Sequence, residues 1–479
     1  MQRYKRILIL LGVLVVALAV TFGVSRYQEA QEKIAASDEI ILEIPTEDVT
    51  ALSWVTDDAS FSFHRDGTWS YDDDEAFPVS EEKMEELLSP FASLGAAFII
   101  EDVEDFDQYG LEEPTCTITV ETGEETYTID LGAFSTMDAQ RYVSIGDGNV
   151  YLVSTDPMDY YDATLSELID NDEIPAFDTV DSMTFSGEAD YTLRYEEGNP
   201  RAYSEDDVYF TQVDGQDLPL DTSLVNTYLS TLSYLDLSTY VSYNVSDEEL
   251  ETYGLASPEL TVEVAYTVED EDGEASSNTF SISLSRDPAQ KAAEETEATE
   301  EAEGTATEET EEEEFLAYAR IGDSQIVYQL TESDYLSLMN ASYDDLRHQA
   351  VLPVDISEVT ELSITLEGKD YLVTSEVMEE DGEEVRKFYL DGEELDVEAL
   401  QNALTALTAD SFTNETPSGD EEIRLTLTLD NENYPTMTLA FYRYNGTLCL
   451  AEVDGTPVCL VSRSAVVDLV EAVQAFALN

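Results

Sequence analysis

The sequence is poor in the residues on which most enzymes and metal sites depend. Its 479 residues include three cysteines and two histidines, His64 and His348, which lie far apart in the chain. Zinc sites need several cysteine or histidine ligands at short spacing, so no zinc site is expected. Walker loops, dinucleotide fingerprints and the Gly-x-Ser-x-Gly elbow of hydrolases are also absent from the sequence. We therefore predict no catalytic residue, no metal ligand and no bound cofactor.

Basic residues are the second shortage. Lysine and arginine number 20 against 107 aspartates and glutamates, which gives a formal net charge of −87. Nucleic-acid binding depends on clustered cations, so we expect no nucleic-acid partner. The acidity favours a solvated, soluble surface, with capture of cations or of a basic partner as the alternative. Glycosidases use paired carboxylates, but among 107 acids such a pair arises by chance and carries no specificity.

The acidic run at 72–75 and the three cysteines each allow a structural interpretation and a functional or covalent one. The acidic run at 72–75 follows a predicted strand and favours a solvated turn, with weak calcium binding as the alternative, although the pattern of a calcium loop is missing. Cys116 lies on the apolar face of a predicted strand, which indicates a small buried side chain. Cys449 and Cys459 lie on the two arms of one predicted hairpin, slightly out of register. A disulfide between these two cysteines is an open alternative.

Long hydrophobic runs are scarce as well, and the exception lies at the N-terminus. Residues 7–24 form an apolar run of 18 residues, near the lower limit for a helix that spans a bilayer. Three basic residues within 3–6 predict a cytoplasmic N-terminus, because basic flanks stay on the cytoplasmic side. We therefore predict a cytoplasmic tail at 1–6, a transmembrane signal anchor at 7–24 that contacts the lipid bilayer, and an extracytoplasmic remainder in the cell envelope. A cleaved signal peptide is the alternative, because an Ala-Leu-Ala cleavage motif lies at 17–19.

The most informative feature that is present is internal repetition. The motif Tyr-Gly-Leu-x-x-Pro occurs at 109–114 and again at 253–258, an offset of 144 residues. Related strand patterns begin at Val49, Val180 and Val359. We interpret the motif as a turn in which glycine adopts a conformation closed to other residues, while tyrosine and leucine seal the edge of the core. The motif is therefore predicted to be structural.

These patterns divide the chain after a linker at 25–43 into three tandem modules, at 44–176, 177–352 and 353–479. The third module lacks the Tyr-Gly-Leu motif and is the most divergent. The second module contains a low-complexity acidic tract without core-forming residues. Such a tract cannot bury enough apolar surface to offset its ordering entropy, so we predict a disordered insertion at about 287–314.

The predicted fold class is α+β. Strands outnumber helices and are joined by short turns, which favours an antiparallel sheet with two helices in each module over a parallel βαβ unit. One helix in each module follows an apolar stripe. The other closes the module, and Ser154, Thr331 and Ser462 are placed to cap its three copies.

Several local features together resemble a known bacterial family. Besides the anchor, they are Asp-Gly-Thr-Trp at 66–69, Phe-Pro-Val at 77–79, the motif at 109–114 and Val-Tyr at 150–151. With these features the chain resembles the family called domain of unknown function 4340, best over 44–176 and onward to about residue 352. The resemblance implies a membrane-anchored protein with no assigned catalytic residue. It also implies a role beside ABC transporters of the gliding-associated type, near which some members are encoded.

The expected function is that of a non-enzymatic, membrane-anchored extracytoplasmic protein. Repetition and the lack of a reactive constellation favour a binding or accessory component of an envelope complex, with an ABC transporter or another envelope membrane protein as partner. Two alternatives stay open: a carboxylate-dependent envelope hydrolase directed at glycans, and a weak cation- or calcium-binding surface protein.

Overall fold

The structure is a computed structural model. It describes residues 39–477 apart from 102, 137, 178, 205, 214, 270–272, 294–314, 381–382 and 432–433. The predicted tail at 1–6 and anchor at 7–24 lie outside the described residues, as does most of the linker at 25–43. Within the described residues, no helix has the length and apolar character needed to cross a membrane.

The first repeat contains a nine-stranded antiparallel sheet. Its strands are β1 (Glu39–Leu42), β2 (Val49–Thr56), β3 (Ser60–Asp66), β4 (Thr68–Tyr71), β5 (Leu94–Ile100), β6 (Cys116–Thr122), β7 (Thr126–Ser135), β8 (Gln140–Ser144) and β9 (Val150–Val153). The order across the sheet is β1-β5-β9-β8-β7-β6-β2-β3-β4. The helices are α1 (Glu81–Ala92) and α2 (Met158–Tyr161), with 3-10 turns at Thr46–Asp48, Asp107–Tyr109 and Leu165–Glu167.

The second repeat also contains a nine-stranded antiparallel sheet. Its strands are β10 (Thr179–Gly187), β11 (Tyr191–Tyr195), β12 (Tyr209–Val213), β13 (Gln216–Pro219), β14 (Tyr240–Ser242), β15 (Leu260–Glu269), β16 (Ala275–Arg286), β17 (Ala317–Ile321) and β18 (Val327–Leu330). The order is β13-β12-β11-β10-β15-β16-β17-β18-β14. The helices are α3 (Thr222–Ser233), α4 (Asp247–Thr252), α5 (Glu332–Met339) and α6 (Tyr343–Leu346).

The third repeat has the same kind of sheet. Its strands are β19 (Val359–Leu366), β20 (Lys369–Glu380), β21 (Glu383–Leu390), β22 (Glu393–Leu395), β23 (Ala409–Phe412), β24 (Glu421–Leu429), β25 (Thr436–Arg443), β26 (Leu448–Val453) and β27 (Thr456–Ser462). The order is β22-β21-β20-β19-β24-β25-β26-β27-β23. The helices are α7 (Glu398–Thr405) and α8 (Arg463–Ala477), and a 3-10 turn lies at Ile356–Glu358.

The three sheets share one strand arrangement and one irregularity. The first long strand of each repeat, β2, β10 or β19, lies between two antiparallel neighbours. Its pairing with β6, β15 or β24 shifts register directly after Val49, Val180 and Val359. A bulge adds one unpaired residue and re-aims the side chains that follow it. Three antiparallel nine-stranded sheets with the same device at the predicted starting points are consistent with three repeated modules. The predicted two helices in each module do not hold for the second repeat, which has more.

The Tyr-Gly-Leu motif has the predicted structural role in both copies. Its glycine is left-handed, with φ of 69° at Gly110 and 72° at Gly254. A side chain at either glycine would also collide with the neighbouring strand. The motif's tyrosine packs its ring against Tyr142 in the first copy and Tyr318 in the second, at 5.0 and 4.9 Å between centroids. The leucine is buried in each copy, so the motif closes the edge of the core.

The predicted helix caps are confirmed in one repeat and wrong in another. Thr331 accepts the Asp334 N–H at 3.1 Å and caps α5 as predicted. Ser154 does not cap α2, which begins only at Met158. The intervening Pro157 disfavours helical geometry at Asp156, whose carboxylate accepts the Met158 N–H at 2.9 Å instead. The closing helix of the first repeat is consequently a single turn.

The acidic insertion connects β16 to β17, which are neighbours in the second sheet. Residues 288–293 are helical although they fall within the range expected to be disordered, and residues 294–314 lie outside the described residues. Asp287 donates its N–H to the carbonyl of Leu316 at 3.0 Å, and Gln290 accepts the Leu316 N–H at 3.0 Å. The two ends of the insertion are therefore held together by hydrogen bonds of Asp287 and Gln290 with Leu316.

Deleting residues 294–314 and joining Ala293 to Phe315 should leave the fold intact. Loop closure entropy changes slowly with loop length, so we expect the Tm from calorimetry to move by no more than about 4 °C. Extending the deletion to 288–314 removes the Lys291–Glu259 ion pair and should lower the Tm further. A large loss of Tm in the shorter deletion would contradict the view that the acidic tract is dispensable.

Candidate functional site

A polar cluster lies where the second and third repeats pack together. Residues 173–237 and 245–479 form one compact unit, and residues 1–172 with 238–244 form the other. Within the larger unit, Asp207, Asp221 and His348 meet beside Tyr203 and Arg347. We call these five residues the histidine junction.

Local structure places each carboxylate of the histidine junction. Asp221 is the N-cap of α3 and accepts the N–H groups of Ser223 and Leu224 at 2.9 and 3.3 Å. Asp207 lies just before β12, and its side chain is 2% exposed. It accepts the N–H of Tyr203 at 2.8 Å, the N–H of Ser204 at 3.2 Å and Nε2 of His348 at 2.9 Å. Three donors thus compensate for the removal of this carboxylate from water.

The imidazole of His348 is held between two carboxylates on opposite sides of its ring. Nε2 faces Asp207, while Nδ1 lies 3.6 Å from Oδ2 of Asp221. Because the two acids contact different ring nitrogens, they cannot bind one metal ion together with the histidine. Among the described residues, no three His, Cys, Asp or Glu side chains are grouped closely enough to hold a metal. The histidine junction is therefore a hydrogen-bonded structure and not a chelating one.

Aromatic rings join this cluster to the third repeat. Tyr203 meets His348 edge-on at 5.6 Å between ring centroids and meets Tyr434 edge-on at 5.2 Å. The guanidinium of Arg347 lies 4.2 Å from the ring centroid of Phe412 and 4.8 Å from that of Tyr343. Cation–π contacts that are shielded from water contribute about 2 kcal/mol. Tyr434 and Phe412 belong to the third repeat, so the histidine junction fixes that repeat against the second.

The histidine junction offers no activated nucleophile. It borders a cavity of about 40 Å³, which has room for a few water molecules and is too small for an ordinary substrate. Cys459 lines the cavity, but burial raises the pKa of its thiol to about 11. A thiol with so high a pKa is protonated at neutral pH and is a poor nucleophile. Burial likewise raises the pKa of Tyr203 to about 12. The arrangement is suited to holding two repeats together.

The residues singled out in the sequence lie elsewhere. In the acidic run at 72–75, Asp72 accepts Nδ1 of His64 at 2.6 Å, and Asp74 accepts the hydroxyl of Tyr243 at 2.7 Å. The hydrogen bond from Tyr243 and one from a backbone N–H lower the pKa of Asp74. These carboxylates are bonded to separate protein donors and do not converge on one point, which favours the solvated turn over a calcium site.

The cysteines are free and buried, Cys116 as predicted. In the hairpin of β26 and β27, Cys459 lies opposite Ala451, and Cys449 lies opposite Val461. The two cysteines are thus two positions out of register, and no disulfide joins them.

Sequence reasoning missed the histidine junction. His348 and Asp207 are 141 residues apart, so no short motif links them. Charge patterning gives no signal either, because acids occur throughout the chain. The cluster exists only because α6 ends beside the loop that precedes β12.

The fold and its junction define a tandem-repeat protein of antiparallel α+β modules. The model of the family DUF4340, described as a domain of unknown function, matches residues 69–205 and 212–427, so the chain belongs to this family. The match extends into the third repeat, further than the motifs of the sequence indicated. No curated protein and no solved structure matches the chain.

Replacing His348 by alanine should loosen both sides of the histidine junction. The buried Asp207 would lose one of its donors, at a cost of about 2 kcal/mol. Hydrogen exchange followed by mass spectrometry should show faster exchange in peptides 201–213 and 409–413, which belong to different repeats. His64→Ala is a matched control, because His64 also pairs with an aspartate but is 47% exposed. Equal effects of the two variants on these peptides would contradict the role of the junction.

Replacing Tyr203 by phenylalanine should change the response to alkali. Burial raises the pKa of Tyr203 from its ordinary value of 10.0 to about 12 in the fold, so the unfolded state releases this proton first. The stabilisation is complete below pH 10 and is lost as pH rises toward 12. The variant should therefore lose less stability than wild type between pH 9 and about 11 in urea titrations. Tyr234→Phe, at a position 88% exposed, is the control for the loss of one phenol hydroxyl from the chain. Identical slopes for all three proteins would exclude this contribution.

Proposed function

We propose that the chain is a non-enzymatic, membrane-tethered extracytoplasmic protein that serves as a binding or accessory component of an envelope complex. An ABC transporter or another envelope membrane protein is the proposed partner. The observation that carries this proposal is the repetition of one nine-stranded frame with the same bulge, three times in tandem. Tandem modules of one kind extend the surface available for contacts without requiring a reactive centre.

The polar side chains of the described cluster support a binding role over catalysis. The carboxylate of Asp207 is fully engaged by protein donors, and the thiol of Cys459 is held in its neutral form. An enzyme needs a nucleophile or base whose pKa is matched to its task, with room for a substrate beside it. The histidine junction provides neither, and its ring contacts instead fix the second repeat to the third.

The apolar run at 7–24 is the proposed tether. Its basic flank favours an N-terminus in the cytoplasm and repeats on the outside of the membrane. A net charge of −87 suits modules that face water and meet partners through basic or neutral surfaces. We place the protein in the cell membrane as a single-pass protein on these grounds.

Crosslinking in native membranes tests this proposal. Full-length tagged protein should stay in the membrane after washing with alkaline carbonate and should recover an envelope membrane protein in near-stoichiometric amount, identified by mass spectrometry. In the matched control, a cleaved signal peptide replaces residues 1–24, so that the repeats are exported without a tether. The control should appear in the soluble fraction and recover less of the partner.

Two results would count against the proposal. Release of the wild-type protein by carbonate would exclude the tether. Recovery of the protein alone, at every crosslinker length, would exclude a stable envelope partner and return attention to a carboxylate-dependent hydrolase, assayed on envelope glycans.

A further inference from the structure

An open groove lies between helix α3 and the sheet of the second repeat. Its volume is about 620 Å³, within the range of small-ligand sites. Thirteen residues line it: Ile174, Pro175, Ala176, Phe177, Thr179, Val180, Tyr195, Tyr209, Asn226, Leu229, Ser230, Ser233 and Tyr234. We call it the tyrosine groove.

The lining of the tyrosine groove is neutral. None of its thirteen residues is charged, although 27% of the chain is. Tyr195 and Tyr209 meet edge-on at 5.7 Å, and Tyr234 is 88% exposed at the end of α3. Asn226 and Ser230 are exposed along the same helix and add an amide and a hydroxyl group. The groove thus combines the exposed rings of Tyr195 and Tyr234 with uncharged hydrogen-bonding groups, while Tyr209 is buried beneath Tyr195.

In the third repeat, the position equivalent to the tyrosine groove is closed. When the second and third repeats are aligned at the bulge, Phe388 is the residue equivalent to Tyr209. The strand pairs Tyr195–Tyr209 and Ser375–Phe388 occupy the same position in the two sheets. The corresponding cavity of the third repeat has a volume of about 10 Å³, and it is lined by eight apolar residues and Gln401. The site is therefore filled there by the core itself.

The first repeat closes the same position by another means. Arg65 and Trp69 form the equivalent strand pair. The guanidinium of Arg65 lies over the Trp69 ring at 5.8 Å, and Glu81 accepts the Trp69 N–H at 2.7 Å. Trp69 is 5% exposed and the equivalent Tyr209 is 6% exposed, so both of these rings are buried. The second repeat differs in placing an accessible ring, that of Tyr195, where the first repeat has Arg65.

A proline accounts for part of the opening. Five residues before the valine at the bulge, the first repeat has Ile44 and the third has Val354, both buried. The Ile44 N–H also donates to the carbonyl of Phe91 at 2.9 Å and fastens this segment to α1. The second repeat has Pro175, which has no N–H to donate and lines the groove.

We propose that the tyrosine groove binds a neutral, hydroxyl-rich ligand, namely a short segment of an uncharged glycan. Sugar rings present C–H faces that pack on aromatic rings, and their hydroxyls pair with amide and hydroxyl side chains. An anionic ligand would lack a cation in the lining, and a cationic one would lack a carboxylate. An extended peptide is disfavoured, because β11 is paired on both sides and cannot accept an added strand.

This site goes beyond the proposed function, because an envelope partner can contact the repeats without occupying the groove. The experiment uses full-length protein in detergent and immobilised tetrasaccharides of glucose, N-acetylglucosamine, galactose and mannose. Tetragalacturonate serves as an anionic control. We expect binding to at least one neutral tetrasaccharide and none to tetragalacturonate, with the Kd then measured by calorimetry.

Three variants locate the binding. Tyr234→Ala should weaken the Kd about tenfold, since it removes one aromatic contact. Tyr234→Phe should bind within about twofold of wild type, because the ring face is kept. Tyr444→Ala is the matched control, with an exposed tyrosine in the third repeat, and should bind as wild type does.

The proposal is overturned if none of the neutral tetrasaccharides binds, if tetragalacturonate binds equally well, or if Tyr444→Ala weakens binding as much as Tyr234→Ala. Crosslinking of Tyr234→Ala in native membranes separates the two proposals. Retained partner recovery with lost glycan binding assigns the groove its own ligand, whereas lost recovery would make the groove part of the partner interface.

Discussion

The pairing of one central strand on both of its edges is the constraint on which each repeat depends. β2, β10 and β19 are flanked by antiparallel neighbours and bury Leu52, Met183 and Leu362 within the core. A shift of one residue would turn every side chain of such a strand to the opposite face. The bulge at the start of each strand fixes that choice, and with it the face on which the helix packs. The edges of the sheets are free to differ once this strand is set.

Electrostatics imposes a second constraint, because 107 acids share only 20 lysines and arginines. Many carboxylates consequently accept hydrogen bonds from hydroxyl groups. Tyr71 donates to Asp73 at 3.1 Å, and Tyr243 donates to Asp74 at 2.7 Å. The latter bond, together with burial, raises the pKa of Tyr243 to about 12. The abundance of tyrosine, 28 residues, thus supplies neutral donors that charge pairing cannot. At the histidine junction, backbone N–H groups and an imidazole do the same for the buried Asp207.

Repetition separates what the frame requires from what one copy adds. At the same pair of strand positions, the first repeat covers its tryptophan with an arginine and the third fills the space with Phe388. The second leaves Tyr195 exposed beside a buried Tyr209. Core positions change little in character among the copies, since each must fill the space beneath one helix. Surface positions are not held by that requirement. The tyrosine groove is therefore a property of the second repeat, whereas the bulge and the central strand are properties of all three.

The sequence by itself determined the repeat, its starting points at Val49, Val180 and Val359, and the structural role of the Tyr-Gly-Leu motif. Alternation, turn residues and glycine depend on local backbone geometry, which a sequence records directly. Tertiary structure alone decided which distant residues meet. His348 reaches Asp207 across 141 residues, and no local pattern encodes that distance. The opening of the tyrosine groove and its closure in the other repeats were likewise decided in three dimensions, because they depend on how strand pairs, a helix and the preceding segment pack around one space.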